Sequence, residues 1–199
     1  MTLPLIAFLV AAIIPIFFGR IRSAPFWLSA QAAALAWNVA QLGDPSLHTV
    51  VALVEVLVVR ALIAPRWLAR AIRLRGEPNL DLMPSNLFTW AIAIALVVLA
   101  FEFAAPAMSD RQALTLGVVG ATVAVSLLLL STNTSPPAQL VAVLFMENGL
   151  ALFESLLPEP WPLPVHGALS GIYLLTVAVG GWLVATPDTA AAAGSREDA

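Results

Sequence analysis

PAQLVAVLFMENGLALFESLL, residues 137–157, is apolar over enough length to cross a bilayer, yet it carries a carboxylate, Glu147, near its middle. At 1.5 Å per helical residue the run covers about 30 Å, the thickness of the hydrocarbon core. A carboxylate at that depth costs a few kcal/mol on insertion scales, a cost an apolar residue would not carry. An ionisable group kept in such a place points to proton or ion handling. The competing reading is an acid that only pairs with a neighbouring helix.

The rest of the chain has the same character. Of 199 residues, 60% are hydrophobic and 11% charged, against about 25% charged in soluble domains; the mean hydropathy is +0.93. There is no cysteine, which excludes disulfides, thiolate metal sites, iron–sulfur clusters and Cys nucleophiles in this chain. The two histidines, His48 and His166, both fall near predicted helix starts and far from any i,i+4 ligand spacing. No hydrolytic triad, phosphate loop or metal motif is present, so no catalytic residue and no bound cofactor is assigned to this chain. Nothing in it suggests a nucleic-acid partner; the expected surroundings are lipid.

Seven apolar runs, at 2–19, 25–42, 47–65, 87–105, 112–131, 138–157 and 165–185, predict an all-α, polytopic bundle of about seven transmembrane helices. Seven such helices in a soluble protein would leave no polar surface, and spanning β-strands would be shorter and would alternate in polarity. The N-terminal run has no positive n-region and its arginines follow it, so it reads as a first span rather than a cleaved signal. Arg20, Arg22, Arg66, Arg70, Arg73 and Arg75 fall in loops on one side and only Arg111, with Asp44, Asp110 and Glu159, on the other. The positive-inside rule then places the N-terminus outside and the C-terminus in the cytoplasm. Pro25 and Pro45 lie near span starts, where a missing N–H is harmless, Pro78 and Pro84 lie in the one long cytoplasmic loop, and PEPWPLP (158–164) reads as a stiff external turn. Residues 1–105 form an N-terminal four-helix region, 106–186 a three-helix region, and 187–199 a disordered cytoplasmic tail.

The polar residues inside the spans carry the functional expectations. Gln31 and Asn38, seven apart and on one helical face, read as interhelical hydrogen-bonding groups. Glu55 and Arg60, five apart, fall about 140° from one another on a straight α-helix and are not expected to pair on their own helix. Each then faces another helix or another subunit, unless Arg60 snorkels to the cytoplasmic surface. Glu154 is two turns beyond Glu147 on the same face, about 10 Å along the axis, near the outer boundary where hydration is the simpler reading. Glu102 is close to an outer end. Gly167 and Gly171, four apart, would permit close helix contact. Ser170 and Thr176 are internal hydroxyls of the last span, which has no acid.

AQLVAVLFMENGLALF (138–153), above all Met146–Gly149, resembles the signature span of membrane component E of the multisubunit, complex I-like hydrogenases of the hydrogenase-4 type. EVLVVRALIAPRWLAR (55–70) is similar to the same family, with a basic residue five before a proline. The order of seven spans agrees, so the likeness covers most of the chain. It implies that the C-terminal three-helix region resembles the K-type membrane subunit of complex I. It further implies a non-redox subunit beside antiporter-like subunits in a membrane arm, in a bacterial or archaeal cytoplasmic membrane. The NiFe centre and iron–sulfur clusters are then expected in partner subunits. The proton pathway it implies runs through Glu147, with Glu55, Arg60, Glu154 and Ser170. Two positions depart from the family: Arg60 stands where a lysine is usual, and arginine essentially cannot release its proton; Ser170 stands where the last span often carries an acid. The alternatives are a purely structural membrane subunit or a small stand-alone transporter.

Overall fold

The computed structural model describes residues 2–42, 46–76, 80–83, 86–106, 110–157 and 161–186. Asp44, Pro45, Pro78, Pro84, Glu159 and the predicted tail at 187–199 lie outside the described residues. Within them the chain is helical, with no strand beyond one isolated bridge between Arg20 and Asp81. Seven helical rods fall where the apolar runs predict them: α1 Leu3–Phe18, α2 Ala24–Leu42, α3 Leu47–Arg75, α4 Leu87–Ala104, α5 Asp110–Thr132, α6 Pro136–Phe153 and α7 Leu163–Ala185.

Local chemistry sets the helix ends. Ser46 caps α3 by accepting from the Thr49 N–H at 3.2 Å, and Asn86 caps α4 by accepting from the Thr89 N–H at 2.7 Å. Prolines occupy the first turns of α1, α6 and α7, where no N–H is needed. Gly76 ends α3 with φ 81, a left-handed cap that favours glycine.

One rod is irregular. Between Val56 and Ile63, α3 is π-helical, and Pro65 follows at once. Proline removes the N–H that would reach the carbonyl of residue i−4, here Ala61. That carbonyl accepts instead from Ser29 Oγ of α2 at 2.9 Å, so a neighbouring helix satisfies the group the proline leaves free.

α1 packs on α2 and α5, α2 on α3 and α6, α5 on α4 and α6, and α7 on α6 and the second half of α3. One end of the bundle gathers the α1–α2 turn, segment 80–83 and the α5–α6 turn. There Ile21 N donates to Leu80 O at 2.8 Å, Leu82 N to Gly19 O at 3.2 Å, and Asn133 Nδ2 to Leu82 O at 2.8 Å. Arg20 and Arg22 lie at this end, and Arg66, Arg70, Arg73 and Arg75 on the half of α3 that leads to it. At the opposite end the start of α3 meets the segment before α7, where His48 Nε2 is 3.0 Å from the Trp161 carbonyl.

The polarity is inverted relative to a soluble domain. Gln31, Asn38, Arg60 and Asn148 are buried, while Phe88, Leu99 and Phe103 of α4 and Ile172, Leu175 and Trp182 of α7 are more than half exposed. Five helices, α3 to α7, are long and apolar enough to cross a membrane, the pattern of a multi-pass membrane protein. α1 is apolar but only 16 residues long, and α2 carries Ser29, Gln31, Asn38 and Gln41.

The glycines correct one expectation. A Cβ on Gly167 or Gly171 would meet nothing within 4 Å, so this pair makes no close helix contact inside the chain. The tight approaches are elsewhere: a Cβ on Gly117 would strike the Phe101 ring, and one on Gly180 the Leu140 side chain. Gly117→Leu should therefore destabilise the detergent-solubilised protein by about 1–3 kcal/mol through overpacking of α4 on α5, whereas Gly171→Ala should leave thermal unfolding unchanged.

Candidate functional site

The site is built around a buried guanidinium. Arg60 is 6% exposed, so it does not snorkel to the surface. Its Nε donates to Glu55 Oε1 at 3.0 Å, which overturns the expectation that the two cannot pair on their own helix. The reason is the π-helical stretch between them. Bonding from i to i+5 widens the turn, and residues five apart return to roughly the same face. The 140° separation applies only to a regular α-helix.

The guanidinium is satisfied by two other helices besides its own acid, and a third is tied in through one of them. Nη1 donates to Asn148 Oδ1 at 3.2 Å and to the Glu147 backbone carbonyl at 3.4 Å, both on α6. The guanidinium carbon is 4.2 Å from the centre of the Tyr173 ring of α7, a cation–π contact. Asn148 Nδ2 in turn donates to Gln31 Oε1 of α2 at 3.0 Å. Asn148 and Gln31 are fully buried. The interhelical role expected for Gln31 is thus seen; Asn38 is also buried, but its Nδ2 has no hydrogen-bond partner among the described residues.

Glu147 is on the same helix as Asn148 but is engaged differently. Its Oε1 accepts from Thr176 Oγ1 of α7 at 3.1 Å, and its Oε2 is buried without a hydrogen-bond partner among the described residues. Arg60 reaches the Glu147 carbonyl, not its carboxylate. The carboxylate lines a cavity of about 360 Å³ between α2, α3, α6 and α7. Glu55, Arg60, Glu147, Glu154 and Ser170 all line it, so the five residues singled out in the sequence come together. Tyr173 and His166 line it too, and the Tyr173 hydroxyl and His166 Nε2 are likewise buried without partners. Leu35, Val56, Leu150 and Ile172 supply apolar wall. The wall of the cavity is mainly apolar, and the unpaired Glu147, Tyr173 and His166 atoms are themselves buried behind it.

Glu154 stands at the far end, in the 3-10 turn Glu154–Leu156 that closes α6. Its Oε1 accepts from Trp161 N at 3.3 Å, and its Oε2 is 3.4 Å from His166 Nδ1. His166 stacks edge-on to His48, with ring centres 5.6 Å apart. The polar neighbours of the two acids are engaged elsewhere: Asn148 turns toward Arg60 and Gln31, and Ser155 Oγ donates to the Leu152 carbonyl. Ser170 Oγ donates to the His166 carbonyl at 3.0 Å. Glu102 of α4 is exposed, away from the cavity.

Spacing did not single out His48, His166, Tyr173 or Thr176. A usable signal existed: both histidines lie in first turns at the same bundle end, and Thr176 is a hydroxyl in an apolar run. Comparison with protein-family models, curated proteins and solved structures gave no match to this chain.

The clamp makes a stability prediction. Glu55→Gln leaves the Arg60 charge buried without its counter-ion and should cost about 3–5 kcal/mol. Glu55→Gln/Arg60→Gln removes both charges and should recover most of that loss, giving a non-additive double-mutant cycle in thermal unfolding.

Proposed function

We propose that this chain is a multi-pass subunit of a complex I-like membrane oxidoreductase, of the hydrogenase or formate-oxidising kind, and that Glu147 carries protons through it. The observation that carries the proposal is Glu147 at the wall of a mainly apolar cavity, with one carboxylate oxygen buried and unpaired among the described residues. A charge held only as structural glue is paired; a carboxylate that must be loaded and unloaded needs access and a free oxygen. The likeness of residues 138–153 and 55–70 to component E supplies the setting. In that setting the redox centres belong to partner subunits, antiporter-like subunits lie alongside in a bacterial or archaeal cytoplasmic membrane, and this chain contributes membrane-arm scaffold and a proton path.

The roles divide between the two acids. Glu55, locked to Arg60, acts as scaffold, since it is engaged by a guanidinium that does not deprotonate. Glu147, bonded to a neutral hydroxyl, is the group free to exchange a proton. Glu154 and Ser170 lie on the route to the outer end. This is also how the purely structural alternative enters: the Glu55–Arg60–Asn148–Gln31 chain favours it, but only for those four residues.

In this reading all seven helices span the membrane and the arginine-bearing end faces the cytoplasm. Cysteines at Leu80 and Leu163 should then label from opposite sides with an impermeant reagent, cytoplasmic and external respectively; labelling from one side breaks the topology.

The functional test is Glu147→Gln, measured as proton translocation by the intact complex in sealed vesicles, with subunit content assayed in parallel. The variant should assemble normally and lose most translocation. Glu147→Asp should keep part of it, and Glu154→Gln should be milder. A fully assembled, fully coupled Glu147→Gln complex would leave only the scaffold role.

A further inference from the structure

We propose that His48, Glu154 and His166 form a binding site for a transition-metal dication of the zinc class, tying together the ends of α3, α6 and α7. His48 is in the first turn of α3, Glu154 in the turn that closes α6, and His166 in the first turn of α7. One ligand atom from each lies within 4.8 Å of the other two. Zinc binds imidazole nitrogen and carboxylate oxygen at about 2.0–2.2 Å, and a tetrahedral sphere places its ligand atoms roughly 3.3–3.6 Å apart. The His166 Nδ1 to Glu154 Oε2 edge is already 3.4 Å; the remaining edges close with a movement of about an ångström in side chains at helix ends.

The surroundings orient the three ligands. The Trp161 backbone holds two of them: its N–H donates to Glu154 Oε1 at 3.3 Å and its carbonyl is 3.0 Å from His48 Nε2. A metal-binding histidine characteristically gives its other ring N–H to a carbonyl or carboxylate, which fixes the tautomer. Donation from His48 Nε2 to Trp161 leaves Nδ1 with the lone pair. In His166, Nδ1 faces Glu154, and Nε2 is buried with no hydrogen-bond partner among the described residues. The tautomer with the proton on Nε2 leaves the Nδ1 lone pair directed at the site beside Glu154. The His166 side chain is only 12% exposed, so its position beside Glu154 is set by packing.

The donor set selects the ion. Two imidazoles and one carboxylate match the three-ligand zinc sites that keep a fourth position open. Magnesium and calcium prefer all-oxygen shells and should not compete. The site shares Glu154 with the proposed proton route, but it is a binding property of the chain and is testable by binding alone.

The test is equilibrium dialysis of zinc against the purified protein, in whatever complex it is isolated, stripped first with a chelator and assayed in excess magnesium. Wild type should bind one equivalent per chain at micromolar zinc, with a rise in unfolding temperature that grows with zinc concentration. His48→Ala and His166→Ala should each weaken binding at least tenfold, and His48→Ala/His166→Ala should abolish it. Absence of binding by wild type, or undiminished binding by the double variant, overturns the proposal. X-ray absorption on the zinc-loaded wild type does not depend on any variant folding: a shell containing two imidazoles supports the site, and an all-oxygen shell overturns it.

Discussion

A guanidinium buried among apolar helices constrains everything near it. Removing a charge from water is tolerable only where a counter-ion and hydrogen bonds replace the solvent, and Arg60 obtains each from a different source. Its own helix supplies Glu55, α6 supplies a carbonyl and the Asn148 amide, and α7 supplies the Tyr173 face. Because Asn148 also bonds Gln31, the demand of one cation fixes the mutual positions of α2, α3, α6 and α7. The π-helical stretch is the local condition for this. Without it the acid five residues away would point elsewhere, and the cation would need a counter-ion from a neighbouring helix. Pro65 and Ser29 belong to the same arrangement, since the proline interrupts the bonding ladder just beyond the stretch and Ser29 satisfies a carbonyl left over.

The clamp also explains why Glu147 is not paired with the nearest cation. Arg60 has its carboxylate partner already, and its remaining reach ends on the Glu147 backbone carbonyl. The Glu147 side chain is left with Thr176, a neutral partner that donates one hydrogen bond. Two acids near one arginine are thereby given different environments. One is held in an ion pair, and the other faces a cavity with an oxygen unsatisfied. Different environments for like groups are how proteins divide roles between them.

The helices were legible because length and apolarity determine them: six of the seven runs agree with their rods to within a few residues, whereas α3 runs ten residues past the expected end at 65, so that Arg66, Arg70, Arg73 and Arg75 lie on a helix and not in the expected loop. The five residues expected to matter were legible for a similar reason, since an ionisable or polar group in an apolar span is conspicuous wherever its side chain points. Their partnerships were not. The Glu55–Arg60 pair was misjudged because a wheel at 100° per residue assumes α-helical bonding, and no residue between 56 and 63 announces a π turn; only Pro65 hints at an interruption. The histidines were discounted on local spacing, although His48 and His166 are 118 residues apart in sequence and meet through the packing of helix ends. The Gly167–Gly171 pair shows the converse. Its spacing suits close packing, but the face it occupies is turned outward in this chain.

An arginine at position 60 holds charge in a way a lysine would not. A buried lysine is able to release its proton, so it can stand in a relay and also hold charge. Arg60 can only hold charge. In exchange it offers a planar fork with donors in several directions, and the structure uses that geometry: Nε to one acid, Nη1 to two acceptors on another helix, and the guanidinium plane to an aromatic ring. A lysine ammonium reaching the same place would not reproduce Nε and Nη1 bonds to separate helices at once. The arginine thereby fixes the positions of the helices that line the cavity.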